Sequence, residues 1–358
     1  MGDILALTNQ PDEARNAYQC ALAQAAPSDR ISQAHLYRKI AQTWETQRHF
    51  EEALQTYSRA EAILDQASAE ASSERWQEWI KIQNGRIFIH YWLGQVQEIT
   101  ELVEKTQPVV ERYGTQAQRA TFFQNLYMMS LRRDRCVVLE ETLGYARSAL
   151  AARQESGSAT EVALARFLLG FAYLFYGDLD EAEAHMQAAL AVGERAGDVV
   201  LQSRCLTYLT IVYRKRGQVE ETSRYASRAL RVATSLLWPE DVAMARANQA
   251  WVAWRQGNLS EAQATARAAL EEWKALQFDY PFRWTALWPL ISIALAQDQF
   301  SEAINYVRVL LAPQQQALPD ALRTAIEAAT QAWDSGRLEA ACAHLQQAAA
   351  LAGEMGYL

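Results

Sequence analysis

A unit of about forty residues recurs along this chain, and no other feature limits its fold so strongly. The segments LGFAYLFYGDLDEAEAHMQAAL (169–190), LTIVYRKRGQVEETSRYASRAL (209–230) and QAWVAWRQGNLSEAQATARAAL (249–270) align without a gap. Their turn glycines, Gly177, Gly217 and Gly257, are forty residues apart, and five positions after each stands a small residue: Ala182, Thr222 or Ala262. Equivalent positions fall at Ala14, Ala53, Ile99, Thr142, Ala303 and Ala341, so neighbouring units are spaced 38 to 46 residues apart over the 358-residue chain. A repeat of this length is one supersecondary unit that cannot bury its apolar face alone, so the core is built by stacking.

Each unit reads as a helix, a tight turn at glycine and a second helix. Glycine (15) and proline (8) are scarce, while half of the residues are hydrophobic, which suits a helical chain with a large core. Gly170, Ala182 and Ala189 are small where two helices must approach to about 8–10 Å. Leu169, Tyr173, Leu179 and Met186 fill the space between them. The repeat is most regular over 160–270 and degenerate over 75–150. The expectation is one array over 1–358, of about eight helix pairs with a partial pair at the N-terminus. There, Ala14, Tyr18 and Ala21 match Ala182, Met186 and Ala189, with only Asp3–Thr8 ahead of the turn. An array that opens in mid-repeat is expected to be a fragment of something longer, since solenoids need polar terminal caps.

The run Leu169-Gly170-x-x-Tyr173 followed by Ala182-x-x-x-Met186-x-x-Ala189 resembles the tetratricopeptide repeat family. The resemblance implies an all-α fold, a right-handed α-solenoid made of antiparallel helix pairs. Two features depart from the family pattern: the period is forty rather than thirty-four, and Arg166 and Arg246 stand where the family usually has Trp. Long repeats of this kind are similar to the C-terminal sensor arrays of STAND-class signalling ATPases of the maltose-activator type. That likeness implies a non-catalytic array that recognises an inducer or a partner protein and contacts other domains of its parent. A free-standing adaptor that binds a peptide or a partner protein is the alternative.

Composition and motifs narrow the function further. A net charge of −8 argues against a general nucleic-acid binder, which needs a basic face. Two short basic knots, Arg132, Arg133 and Arg135, then Arg214, Lys215 and Arg216, are typical of helix ends. Cys20, Cys136, Cys205 and Cys342 are far apart without CxxC spacing, which fits small buried side chains in a reducing cytoplasm. No apolar run of about 20 residues is interrupted by so few charges as to read as a membrane span; ALARFLLGFAYLFYG is short and carries Arg166. Phosphate-loop, GxGxxG, GxSxG, HExxH and EF-hand patterns do not occur. The five histidines show no metal-ligand spacing. No enzyme activity, cofactor or metal is therefore expected, and the chain is expected in the cytoplasm.

The family resemblance also implies where recognition takes place, since first helices line the concave groove of such arrays. Carried onto this chain, the groove takes Phe167, Phe171 and Phe175, then Arg204, Arg214 and Lys215, then Trp251, Trp254 and Arg255, and then Trp288. Aromatic rings beside cations suit a peptide, protein segment or small inducer with an acidic group next to an apolar one. Earlier repeats place His35, Arg38, Gln42, Glu45, Lys81, Asn84, Phe88, Tyr91 and Trp92 at a more polar mouth. An aromatic stripe at helical spacing serves equally as core. In the segment FDYPFRWTALWPL (278–290), Pro281 and Phe282 are expected to start a helix. Pro289 cannot bond back to Thr285, so a kink or split is expected near Trp288, aiming that ring toward Trp251 and Trp254.

Overall fold

A computed structural model describes residues 1–8, 10–66 and 72–358, and among these there are helices and no strands. The chain divides into two compact units, residues 1–132 with 151–157, and residues 133–150 with 158–358. Unit 1 opens with the short α1 (Gly2–Leu7) against α2 (Pro11–Gln24). The pairs α3 (Arg30–Thr46) with α4 (Phe50–Asp65) and α5 (Ser73–Leu93) with α6 (Val96–Tyr113) follow. The next two helices are α7 (Gln116–Arg133) and α8 (Glu140–Ser156), and α8 contributes residues to both units.

Unit 2 holds five further pairs. They are α9 (Ala159–Tyr176) with α10 (Leu179–Ala196), α11 (Val199–Lys215) with α12 (Val219–Leu236), and α13 (Pro239–Arg255) with α14 (Leu259–Lys274). Then come α15 (Trp284–Ala296) with α16 (Phe300–Leu310) and α17 (Asp320–Asp334) with α18 (Leu338–Glu354). The all-α array of helix pairs read from the sequence is present.

One device closes the pairs. Five residues before the position equivalent to Ala182 in the second helix, the backbone is left-handed at Arg48, Gly94, Gly177, Gly217, Gly257, Asp298 and Gly336, with φ between 56° and 104°. At Gly217 the amide bonds the Arg214 carbonyl (2.8 Å) and the next amide reaches back to Tyr213 (3.0 Å). This is the glycine C-cap that reverses a chain with two helix-end carbonyls satisfied. Arg48 and Asp298 take the same conformation without glycine, so the repeat persists where its sequence signature is lost.

Crossings are tight at the small residues. A methyl group built on Gly170 would lie 2.8 Å from Met186 Cγ and 3.0 Å from the Ala182 carbonyl oxygen. Ala182, Met186 and Ala189 are wholly buried beside it. Arg246, at the position where the family has Trp, is half-exposed and pairs with Glu272. Helix α9 is, by length and composition, apolar enough to cross a membrane, which corrects the shorter apolar run read from the sequence. Its residues Ala163, Leu169, Ala172 and Leu174 are buried within the array.

Candidate functional site

The first helices of unit 2 converge on one buried cation. Arg214, near the end of α11, donates from Nη1 to the Thr285 carbonyl of α15 (2.7 Å) and to Asn248 Oδ1 of α13 (3.2 Å). Its Nη2 donates to the carbonyl of Tyr357 (2.8 Å), beyond the end of α18. The guanidinium carbon sits 5.1 Å from the Trp284 ring and 5.5 Å from that of Trp251. Every acceptor around it is neutral, and burial pushes its pKa well below the ordinary arginine value. Lys215 extends its Nζ to 4.0 Å from the centre of the Tyr357 ring. Burial, with Arg214 next to it, pushes the Lys215 ammonium down to about 8.

Tyr357 is thus held by its backbone and its ring. Residues 355–358 turn off α18 through a glycine cap: Gly356 N–H bonds Gly353 O (3.2 Å) and Tyr357 N–H bonds Ala352 O (2.8 Å). The ring packs edge-on against Trp284 with centroids 4.9 Å apart. A side chain on Gly356 would collide with the backbone of Lys215, 2.5 Å from its carbonyl oxygen.

The segment before α15 closes a second aromatic cluster. Phe282 stacks on Phe175 (5.3 Å, 15°) and meets Phe171 and Tyr208 at 6.3 and 6.1 Å. Tyr280 stacks on Trp273 at 5.0 Å. Gln315 and Gln316 pin this segment: Gln315 Nε2 donates to Tyr280 O (3.0 Å), and Trp284 Nε1 donates to Gln316 Oε1 (2.8 Å). Helix α15 starts at Trp284, not at Pro281 or Phe282, and runs past Pro289 without splitting.

The residues assigned to an open groove fall into two groups. Phe167 and Phe171 are 4% and 6% exposed, Arg214 1%, and Trp251 and Trp288 0%. These five line no open surface: rings on neighbouring first helices fill the space between those helices, and Trp288 is packed within α15's surroundings. Phe175, Arg204, Lys215 and Trp254 are half-buried, and Arg255 is exposed with its guanidinium 5.1 Å from the Trp251 ring. Of three further residues that shape the site, Tyr357 was not singled out in the sequence, while Phe282 and Thr285 were named there for the helix start and the missing proline bond but not as part of the site. The proline spacing that named Thr285 left its carbonyl without a donor, and Arg214 supplies one.

The basic knots form no continuous basic face. Arg216 pairs with Asp180 (2.6 Å) and Glu183, Arg133 with Asp134 (2.8 Å), and Arg135 donates to the Gln315 carbonyl (2.9 Å). In unit 1, three residues of the polar mouth gather on a carboxylate that the sequence did not single out. Buried Glu78 accepts from Arg38 Nε (2.5 Å), with Lys81 Nζ at 3.4 Å and a His35 ring nitrogen at 3.5 Å. Burial alone would raise its pKa, but His35, Arg38 and Lys81 outweigh it and bring the carboxyl to about 2.

Comparison with known proteins agrees with the fold. The family model described as tetratricopeptide repeat matches residues 163–188, 243–268 and 322–347. No curated protein matches the sequence. A Rap protein complexed with competence and sporulation factor superposes with a TM-score of 0.62 at 15% identity, covering 85% of this chain and 79% of that one. NprR in complex with its cognate peptide NprX gives 0.59 at 12% identity, with 89% and 83% covered. The Pyrococcus horikoshii STAND protein PH0952, which has a tetratricopeptide repeat sensor, gives 0.52 at 16% identity over 84% of this chain. The chain spans only 47% of that protein's length. The matched segments contain the crossings at Ala182, Ala262 and Ala341, each five residues beyond a left-handed glycine turn, and these three segments carry the tetratricopeptide repeat pattern within an all-α array of helix pairs.

Proposed function

We propose that the chain is a non-catalytic recognition array whose first-helix face in unit 2 holds a peptide or a segment of a partner protein. One observation carries this reading: the face already holds a peptide segment. Arg214 grips the Tyr357 carbonyl, and Lys215 and Trp284 take its ring. Backbone capture together with a ring seat is how grooves read extended chains. The fold likeness to Rap and NprR, described with a competence and sporulation factor and a cognate peptide, supports the same ligand class. Half-buried Trp254 and exposed Arg255 continue the face outward, and the array acts in the cytoplasm.

Two settings are compatible with this role. The chain is the sensor array of a STAND-type signalling ATPase, a reading supported by the likeness to the sensor-bearing archaeal protein. The alternative, a free-standing adaptor, is supported by the large share of the Rap and NprR chains that it spans. A nucleotide-binding phosphate loop in the same gene decides for the first.

Recognition itself is tested by selecting displayed random peptides on the intact chain and titrating the enriched ones by calorimetry. The expected result is a shared consensus, with affinity lowered at least tenfold by Arg255→Glu. No enrichment, or peptides indifferent to Arg255→Glu and Trp254→Ala, would overturn it.

A further inference from the structure

We propose that the Nε–Nη2 edge of Arg214 is a carboxylate-binding site, and that residues 355–358 occupy it as an exchangeable plug which a peptide carboxylate displaces. The proposal rests on the peptide-recognition reading and names the ligand chemistry of that face.

The guanidinium is used unevenly. Nη1 is committed to the fold through Thr285 O and Asn248 Oδ1. On the opposite edge, Nη2 holds only the Tyr357 carbonyl, and buried Nε has no acceptor. That edge presents two parallel N–H groups in the spacing that grips both oxygens of a carboxylate. A single backbone carbonyl satisfies half of it. A second buried donor, Trp251 Nε1, also lacks an acceptor, and its ring lies 5.5 Å from the guanidinium carbon. Lys215 adds a second cation above the same occupant. A guanidinium edge half-satisfied by one neutral carbonyl, with an ammonium over the ring of the same residue, describes a seat whose best-fitting guest is an acid beside an aromatic ring.

The occupant is built to leave. Its amides bond only its own helix, at Leu351, Ala352 and Gly353. Its hold on the rest of unit 2 is the Arg214 bond, the ring contacts with Lys215 and Trp284, and the close seating of Gly356 on Lys215. Gly356 has φ of 70° and no room for a Cβ. A side chain there is incompatible with the seat but leaves the bonds of α11, α13 and α15 untouched.

The test uses the full chain and the probe acetyl-Met-Gly-Tyr, residues 355–357 as a peptide, in a free-acid form that puts a carboxylate where the Tyr357 carbonyl meets Arg214 and in a carboxamide form that does not. Titration of Gly356→Val is expected to show the acid binding at least tenfold tighter than it binds the parent chain. The acid is also expected to bind that variant at least tenfold tighter than the amide. Equal affinity of parent and variant overturns the plug, and equal affinity of acid and amide overturns the carboxylate site. Binding to neither chain overturns the proposal while leaving the recognition reading to the peptide selection. Should Gly356→Val lose its helical circular dichroism, Tyr357→Ala replaces it, with an expected gain of at least threefold for the acid; no gain overturns the plug.

Discussion

Arg214 supplies to α15 the hydrogen bond that Pro289 withholds. Proline has no amide to donate to the carbonyl four residues back, which here is Thr285, and Arg214 Nη1 reaches that oxygen at 2.7 Å. A buried carbonyl left without a donor costs about 1–3 kcal/mol. Two positions 75 residues apart in sequence, on two first helices, are therefore one structural device.

The device is tested by a double-mutant cycle. Pro289→Ala restores an amide to Thr285, so Arg214→Met should cost less in that background than in the parent. The expected coupling is about 1 kcal/mol, read from urea unfolding of the four chains. Additive losses would mean that Arg214 serves Asn248 and Tyr357 but not the proline-freed carbonyl.

Burial separates two tryptophans that sequence spacing placed together. Trp251 is wholly buried, so Trp251→Ala should cost about 3–5 kcal/mol and lower the unfolding midpoint sharply. Trp254 is half-buried beside Ala253, Ala262 and Ile293, and Trp254→Ala should cost about 1–2 kcal/mol. Similar losses in the two variants would contradict this division between core and face.

Helix pairs, turns and crossings were legible because each depends on residues close in sequence: a turn residue, a small residue five positions on, and an apolar stripe. The site was legible only in part. Arg214, Lys215 and Trp251 were carried over from the groove positions that the family resemblance implies, and Arg214 does lie 5.5 Å from the Trp251 ring, but such a carry-over cannot tell a ring facing a groove from one filling it. Thr285, Phe282 and Tyr357 lie in other repeats or beyond the last helix. What brings them together is the stacking of whole repeats, which no local pattern encodes. Glu78 was missed for a related reason: a lone Glu on a charged helix looks exposed until His35 and Arg38 of another helix are seen to cover it.

The crossing of α9 and α10 tolerates no added volume. Ala182 is wholly buried, and its carbonyl oxygen lies 3.0 Å from where a Cβ on Gly170 would stand. Ala182→Leu should overpack this contact at a cost of about 1–3 kcal/mol, read as a lower midpoint in thermal unfolding. Ala182→Gly leaves the contact free and should lose only about 1 kcal/mol, through helix propensity. A leucine variant as stable as the parent would show that the helices can move apart.

Glu78 ties unit 1 to pH from the acid side. Its folded pKa, about 2, lies below the ordinary carboxylate value near 4.3, so the folded state binds its proton less readily than the unfolded chain. The stability it contributes is complete above pH 5 and is lost as pH falls toward 2. From pH 5 to pH 3 the parent should lose about 2 kcal/mol more than Glu78→Gln, by urea unfolding at each pH. Parallel curves would mean that Arg38, Lys81 and His35 contribute nothing net to the carboxylate.

Lys215 acts from the alkaline side and with the opposite consequence. Its folded pKa of about 8 lies below the unfolded value near 10.4, so between these values the unfolded chain binds the extra proton. Stability attributable to this group therefore rises with pH across that window, because the cost of keeping a charge beneath the Tyr357 ring and beside Arg214 disappears as the ammonium loses its proton. The variant Lys215→Met removes the titration and keeps the apolar stem. From pH 7 to pH 9.5 the parent should gain about 2 kcal/mol relative to that variant, in urea unfolding followed by circular dichroism. A parent that instead loses stability relative to Lys215→Met would mean that the ammonium has a favourable partner in the folded state, and that the ring contact with Tyr357 outweighs its desolvation.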